Sequence, residues 1–469
     1  HPDLRNYFCC NGIIPGFSQS GGMGLMAAQW IINGESDYDM FAWDVARFGP
    51  WADAKFTKAR VGDQYAKRFA IHFPNEERAA GRPVRTRPAY ETQKAMGAVF
   101  GLNYGWEHPL WFADTPGTQD TNGFTRQNWF EPVGAEARML RQTAGIIDIS
   151  NFAKYFVTGP DAANWLNAIF ANNMPKAVGR SCLTPLIGVN GGIAGDFTVT
   201  RLGDEEFMII GGGMSERYHQ RFWKEVPMPE GTTFESRTDT MCGFNVAGPK
   251  SRALLARLTN ADLSSESFPF MRSQRITVAG VDVIALRVSF TGDLGWELHC
   301  DQADQLHLYQ ALLEAGIDMG AGPVGSRALM SLRVEKGYGS WSREYSPEYW
   351  PQEVGLDRLI KLEKEFLNKA SYLKIKDNAP REMLSLIEVQ DITNADATGG
   401  EPVFLPDGTP VGRVTSGTYG YSVEKSLALG YLKGVAAGTA VDVMILGKPH
   451  RGVVLAEPPF DPTGVRLRA

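Results

Sequence analysis

Glycine and proline interrupt this chain at short intervals, 51 and 27 times in 469 residues. Few stretches between these stops are longer than a strand, so the sequence predicts many turns and short strands rather than a helical bundle. Two pairs of apolar runs read as hairpins. Residues 197–202 and 206–210 flank Gly203-Asp204, and residues 281–290 and 296–300 flank Gly292-Asp293. From about residue 383 onward short strands and turns dominate, with Asp407-Gly408 between two of them, and this tail reads as a small β-barrel or sandwich. Helical periodicity appears only in shorter pieces, at 23–31, 53–70, 135–143, 161–170 and 326–338.

Composition excludes several classes of function. A net charge of −6, with no long run of either sign, argues against a polybasic binder of nucleic acid or membrane. No stretch approaches the roughly 18 apolar residues of a membrane span, and the first 30 residues lack the basic and apolar blocks of an export signal, so a soluble protein is expected. Five cysteines, two of them adjacent (Cys9 and Cys10) and none in a C-x-x-C pair, suit a reducing compartment. The seven histidines are scattered, and no metal site is expected.

The N-terminal region opens with a glycine-rich run at 15–24, followed by Met23, Met26, Ala27, Trp30 and Ile31 at helical spacing and an Asn33-Gly34 stop. This predicts a glycine loop feeding an amphipathic helix, whose first N–H groups suit an electron-rich ligand. The near match Gly22-x-Gly24-x-x-Ala27 to a dinucleotide fingerprint is set aside, because no strand ending in an acid follows about 20 residues later. The aromatic cluster at 104–112 reads as packing, with His108 in a turn-like setting before Pro109.

Three segments carry candidate chemistry. Asp196 follows the glycine-rich run 190–195 at the mouth of the first hairpin, either facing a cavity or serving as ordinary turn chemistry. Glu297 lies just past the second turn, with Trp296 on the opposite face; an inward carboxylate there can accept two parallel N–H bonds from an amino-heterocycle, whereas an outward one is an edge-strand glutamate. On the helix at 326–338, Arg327 or Arg333 can hold an anionic tail, or can pair with Glu335 or Glu344.

Taken in order, the runs 191–196, 291–298 and 331–338, followed by a β-rich tail, resemble the folate-binding aminomethyltransferase module of the glycine cleavage system from about residue 131 onward. Trp296 and the run Glu335-Lys336-Gly337-Tyr338 are closer to the version fused behind a flavin amine oxidase in dimethylglycine and sarcosine dehydrogenases. The opening run 16–22 is similar to that oxidase's last flavin-contacting loop. The resemblance implies an α+β fold. An FAD-dependent oxidase remnant at 1–36 and a connecting subdomain at 37–125 precede a folate-binding domain at 126–380 with mixed α/β subdomains, and an antiparallel barrel at 381–469 closes the chain.

It also implies an enzyme that oxidises an N-methylated amine at FAD and captures the methyl-derived carbon on tetrahydrofolate as 5,10-methylenetetrahydrofolate. Asp196 is then catalytic, handling a proton near the folate nitrogens. Glu297 holds the pterin amino edge, and Phe290 (where relatives often carry Tyr), Trp296, Arg327 and Arg333 line the folate site. Gly16, Ser18, Gly21 and Gly22 are what remains of the FAD site. An N-terminal flavin-binding half, in the same polypeptide or as a separate chain, is the implied partner. The expected location is the cytoplasm of a bacterium, with the mitochondrial matrix as the alternative. A stand-alone folate-dependent aminomethyl or methyl transferase, and a non-catalytic folate- or partner-binding subunit, remain as other readings.

Overall fold

A computed structural model describes residues 1–4 and 6–469 and divides the chain into two compact units, each assembled from three separate segments. The first unit takes residues 1–49, 152–237 and 340–381; the second takes 50–151, 238–339 and 382–469.

In the first unit an antiparallel sheet runs in the order Ser181–Ile187, Ile193–Gly203, Glu206–Gly211, Ala153–Thr158, Thr233–Ser236. The hairpin expected at Gly203-Asp204 is its centre: Ile193–Gly203 pairs with Glu206–Gly211 across a turn at 204–205. Strand alternation puts Tyr155, Val157, Phe197, Val199, Phe207 and Ile209 on one face. There they pack against Trp165, Leu166 and Ile169 of the helix Ala162–Ile169 and against Trp223 of the helix Glu216–Trp223.

The helix Gly16–Asn33 also belongs to this unit and buries none of its residues. Its stop is as expected, with Gly34 left-handed at φ 85° and its N–H donating to the Trp30 carbonyl. Its start differs. No loop precedes Met23: the helix begins at Gly16, directly after Pro15, so Gly21 and Gly22 are interior helical residues. Neither adopts the positive φ that a glycine loop would need.

The second unit holds a six-stranded sheet ordered Ser273–Val278, Val281–Leu286, Gly295–Asp301, Met241–Ala247, Gly145–Asp148, Gly322–Val324, antiparallel except for its last pair. Phe244, Val246, Trp296, Leu298 and Cys300 face a core shared with Leu308, Tyr309 and Leu312 of the helix Gln305–Gly316. The second hairpin has a longer connection than its turn letters suggest, residues 287–294. His108 is in a strand rather than a turn: Trp106–Phe112 pairs with Ala98–Asn103 across a turn at 104–105, and the ladder shifts register near Pro109, which has no N–H to give.

The tail closes into a six-stranded barrel of Met383–Val389, Lys425–Leu432, Pro410–Gly420, Pro402–Phe404, Ala440–Ile445 and Lys448–Val454, filled by Ile387, Val403, Val414, Leu432, Val441 and Val443. The helix Ser326–Glu335 is stapled to it. Ser331 donates to the Tyr419 carbonyl (2.7 Å), and the fully buried Glu335 accepts the Ser422 N–H (2.9 Å) and the Arg141 guanidinium (3.0 Å). No helix among the described residues is long and apolar enough to cross a membrane.

Candidate functional site

Asp196 belongs to the first unit. The glycine run before it is held from several sides: the Gly192 N–H donates to Asn190 Oδ1 (3.0 Å), Asn190 Nδ2 to the Pro347 carbonyl (3.3 Å), and the Ile193 N–H to the Tyr349 carbonyl (3.0 Å). A Cβ on Gly192 would stand 2.2 Å from the Pro347 carbonyl oxygen, so only glycine fits this approach. The rigid loop delivers Asp196 into a desolvated position where burial lifts its carboxyl to about 6, opposed only by its own backbone N–H. Among the described residues no side chain pairs with it. A carboxyl that sits between protonated and ionised near neutral pH, with open lone pairs, is suited to receiving and returning a proton.

Beside this loop lies a carboxyl that the sequence reading missed. Glu35 accepts the Val189 N–H (3.1 Å) and the Tyr218 hydroxyl (3.4 Å), and burial raises it to about 7. Its only sequence signal is that it directly follows the Gly34 stop.

Glu297 belongs to the second unit and lies on the face of the six-stranded sheet opposite the apolar core. His299 shares that face, its Nε2 3.4 Å from Glu297 Oε2. Asn245 is directly across the ladder from Glu297. It donates to the Trp296 carbonyl (3.3 Å) and accepts from Ser289 (3.4 Å), whose hydroxyl also meets Thr291 (2.7 Å). Glu297 alone of this group keeps substantial exposure, with 18% of its side chain accessible against none for His299. The set is acceptor-rich and anchored by bonds within the sheet, which fits the amino edge of a planar heterocycle. Asn245 was missed in the sequence; it is a polar residue in the otherwise apolar strand Met241–Ala247.

The other expected site residues are placed differently. Trp296 is wholly buried in the core against Phe268, on the opposite face from Glu297, so it packs rather than lining the folate site. Phe290 is half-buried and stacks on Tyr338, with centroids 6.0 Å apart. Arg327 is committed to Asp120 by two bonds (2.6 and 2.9 Å) and lies over Trp129, and the buried Arg333 donates to the Tyr338 carbonyl (2.8 Å) and Ser416 (2.6 Å). Both arginines are thus engaged inside the fold, rather than offering an open guanidinium to an anionic tail. Gly16, Ser18, Gly21 and Gly22 lie exposed on the first turns of the helix Gly16–Asn33, and the Ser18 hydroxyl turns back to the Pro15 carbonyl (3.4 Å). For FAD these residues supply one helix end and no enclosed polar set.

A five-stranded sheet carrying a glycine-gripped carboxyl, a six-stranded sheet with a polar second face and a closed barrel define the aminomethyltransferase architecture of the glycine cleavage system. Consistent with this, the fold is similar to that of aminomethyltransferase T from Bartonella henselae at a TM-score of 0.70 and 23% identity, covering 81% of this chain and 98% of that one. Residues 89–364 match the family model described as the GCVT N-terminal domain, 384–461 the glycine cleavage T-protein C-terminal barrel domain, and 33–86 the FAD dependent oxidoreductase central domain.

The chain belongs to the GCVT family, with the oxidoreductase central-domain match lying ahead of the GCVT module in the same chain. It is 35% identical to mitochondrial dimethylglycine dehydrogenase of Mus musculus, over 98% of this chain and 53% of that protein, and 29% identical to mitochondrial sarcosine dehydrogenase of the same species, over 100% and 56%. The chain therefore spans about half the length of these curated relatives. The family implies tetrahydrofolate for the aminomethyltransferase module and FAD for the full enzyme.

Proposed function

We propose that this chain is the folate-dependent part of an FAD-dependent N-methyl amine dehydrogenase of the dimethylglycine or sarcosine type. The observation that carries the reading is Asp196, a desolvated carboxyl near 6 without a pairing side chain at the end of a glycine run that has no other freedom. Tetrahydrofolate, when bound, supplies the amine nitrogens that accept a one-carbon unit and leaves as 5,10-methylenetetrahydrofolate. Asp196 takes up and returns the proton that such an attack at nitrogen releases. Glu297, with Asn245 and His299 fixing the sheet face around it, orients the amino edge of the ring. Seating the carbon unit against the glycine loop shields it from the water that would otherwise hydrolyse it to formaldehyde. An anionic folate tail reaches Arg327 only by displacing Asp120.

The N-methylated amine and a mitochondrial location, the matrix, follow from the names of the two mammalian relatives, and a flavin-binding half that supplies the oxidation from the match at 33–86; the bacterial cytoplasm is the other location. The division at 1–36, 37–125, 126–380 and 381–469 is proposed with this reading. The wholly exposed face of the helix Gly16–Asn33 is where the flavin-binding half is expected to seat.

Titrating the chain with 5-formyltetrahydrofolate is expected to quench its tryptophan fluorescence saturably. Glu297→Ala is expected to weaken binding by one to two decades, the equivalent of about 1.5–3 kcal/mol for charge-assisted bonds. Absence of saturation overturns the reading.

A further inference from the structure

His219 is the most conspicuous polar group that this reading leaves without a task. It lies in the helix Glu216–Trp223, within the first unit, and is fully buried. Neither ring nitrogen has a well-aligned hydrogen-bond partner. The Ala194 backbone favours the protonated ring, but burial outweighs it and holds the imidazole at about 3, so the ring is neutral at any working pH. With the Ala194 backbone beside one ring nitrogen, the imidazole still leaves the other dry, at a cost of about 1–3 kcal/mol, and a group kept at such a cost calls for a reason beyond filling space.

The reason lies in what the ring touches. The strand Ile193–Gly203 passes so close that a Cβ on Gly195 would stand 2.9 Å from His219 Nε2 and 2.7 Å from Phe197 Cε2. Gly195 is not at positive φ, so the position needs glycine for room and not for backbone freedom. Three aromatic rings fix the imidazole: Phe197 at 4.7 Å, Trp341 at 5.0 Å and Tyr218 at 5.6 Å. Trp341 is itself tied, its indole N–H donating to Ser215. By strand alternation Asp196 projects to the face away from His219, so the histidine touches the backbone that carries the carboxyl and not the carboxyl itself. Among the described residues no charged side chain bears on either the ring or the Asp196 carboxyl.

We propose that His219 is a positioning residue for Asp196: a neutral imidazole that fixes the backbone of residues 194–196 from the opposite face and so sets how far the Asp196 carboxyl is withdrawn from water. This rests on the reading of Asp196 as the proton-handling group.

The test follows 5-formyltetrahydrofolate affinity by tryptophan fluorescence, on the whole chain, between about pH 4.5 and 8, with folding of each variant checked by circular dichroism. The wild type is expected to show a step near the Asp196 midpoint of about 6, and Asp196→Asn to abolish it. His219→Phe is expected to lower the midpoint by at least about one unit, toward the ordinary aspartate value near 4, as water reaches the carboxyl. Gly195→Ala, which keeps the histidine but forces the strand off it, is expected to do the same, whereas His219→Gln, which keeps a donor beside Ala194, restores most of the wild-type midpoint. A loss of the step in Asp196→Asn with an unmoved midpoint in both His219→Phe and Gly195→Ala overturns the positioning role alone, and should His219→Phe fail to fold, Gly195→Ala decides it. A step that survives Asp196→Asn, or no saturable binding at any pH, overturns the reading of Asp196 and the proposal with it.

Discussion

The placement of Asp196 after a tightly held run was legible in the sequence because glycines leading into a hairpin restrict where the following side chain can go, and the structure shows why two of them are there: Gly192 meets the Pro347 carbonyl and Gly195 meets His219. Glu297 and Trp296 were legible as opposite faces of one strand, but not the consequence for Trp296, which belongs to the core. Trp296→Ala is therefore expected to cost about 3–5 kcal/mol of stability by urea unfolding, as large buried truncations do. At concentrations where the variant is folded, its 5-formyltetrahydrofolate affinity is expected to be unchanged. The arginines were misread because their acceptors are remote in sequence: Asp120 lies 207 positions from Arg327 and Ser416 lies 83 from Arg333. Local spacing offers Glu335 and Glu344 as partners and cannot see the ones that tertiary folding supplies.

At the scale of elements, turn chemistry was the reliable signal. Gly203-Asp204, Asp407-Gly408 and Asn33-Gly34 each mark a turn or a helix stop where expected, because these residues answer to local backbone geometry. The same glycine signal failed at 16–22, where the chain is helical throughout. Glycine permits a loop without requiring one, and with open space around Gly21 and Gly22 nothing else decides. Gly21→Ala with Gly22→Ala is expected to raise helicity by circular dichroism and stabilise the helix by about 0.5–1 kcal/mol per site. Closure of the tail into a barrel was one of two readings from sequence; strand order, which pairs Met383–Val389 with both Lys425–Leu432 and Lys448–Val454, depends on contacts too distant for periodicity to report.

Across the whole molecule, three carboxyls, Glu136 buried and Asp196 and Glu35 half-buried, tilt the pH dependence of stability. Burial raises Asp196 to about 6, Glu35 to about 7 and Glu136 to about 8, the last despite two backbone N–H bonds from Phe112 and Gly325. Each is harder to ionise folded than unfolded, so over this range the native protein holds protons that the unfolded chain has released. The contribution is full below the unfolded values near 4 and is lost as pH rises through 6, 7 and 8. The melting temperature measured by calorimetry is therefore expected to fall between about pH 4 and 8, and Asp196→Asn to flatten the part of that slope below about pH 6.

The division of the chain has a consequence for how the protein is made. Each unit draws its last segment from beyond residue 339, the first from 340–381 and the second from 382–469. A ribosome releasing this chain from its amino end thus exposes early segments whose neighbours do not yet exist, and neither unit can be completed while its final stretch is still being translated. Cutting at one bond frees neither unit intact, and a truncation anywhere before the barrel leaves the second unit without its final segment.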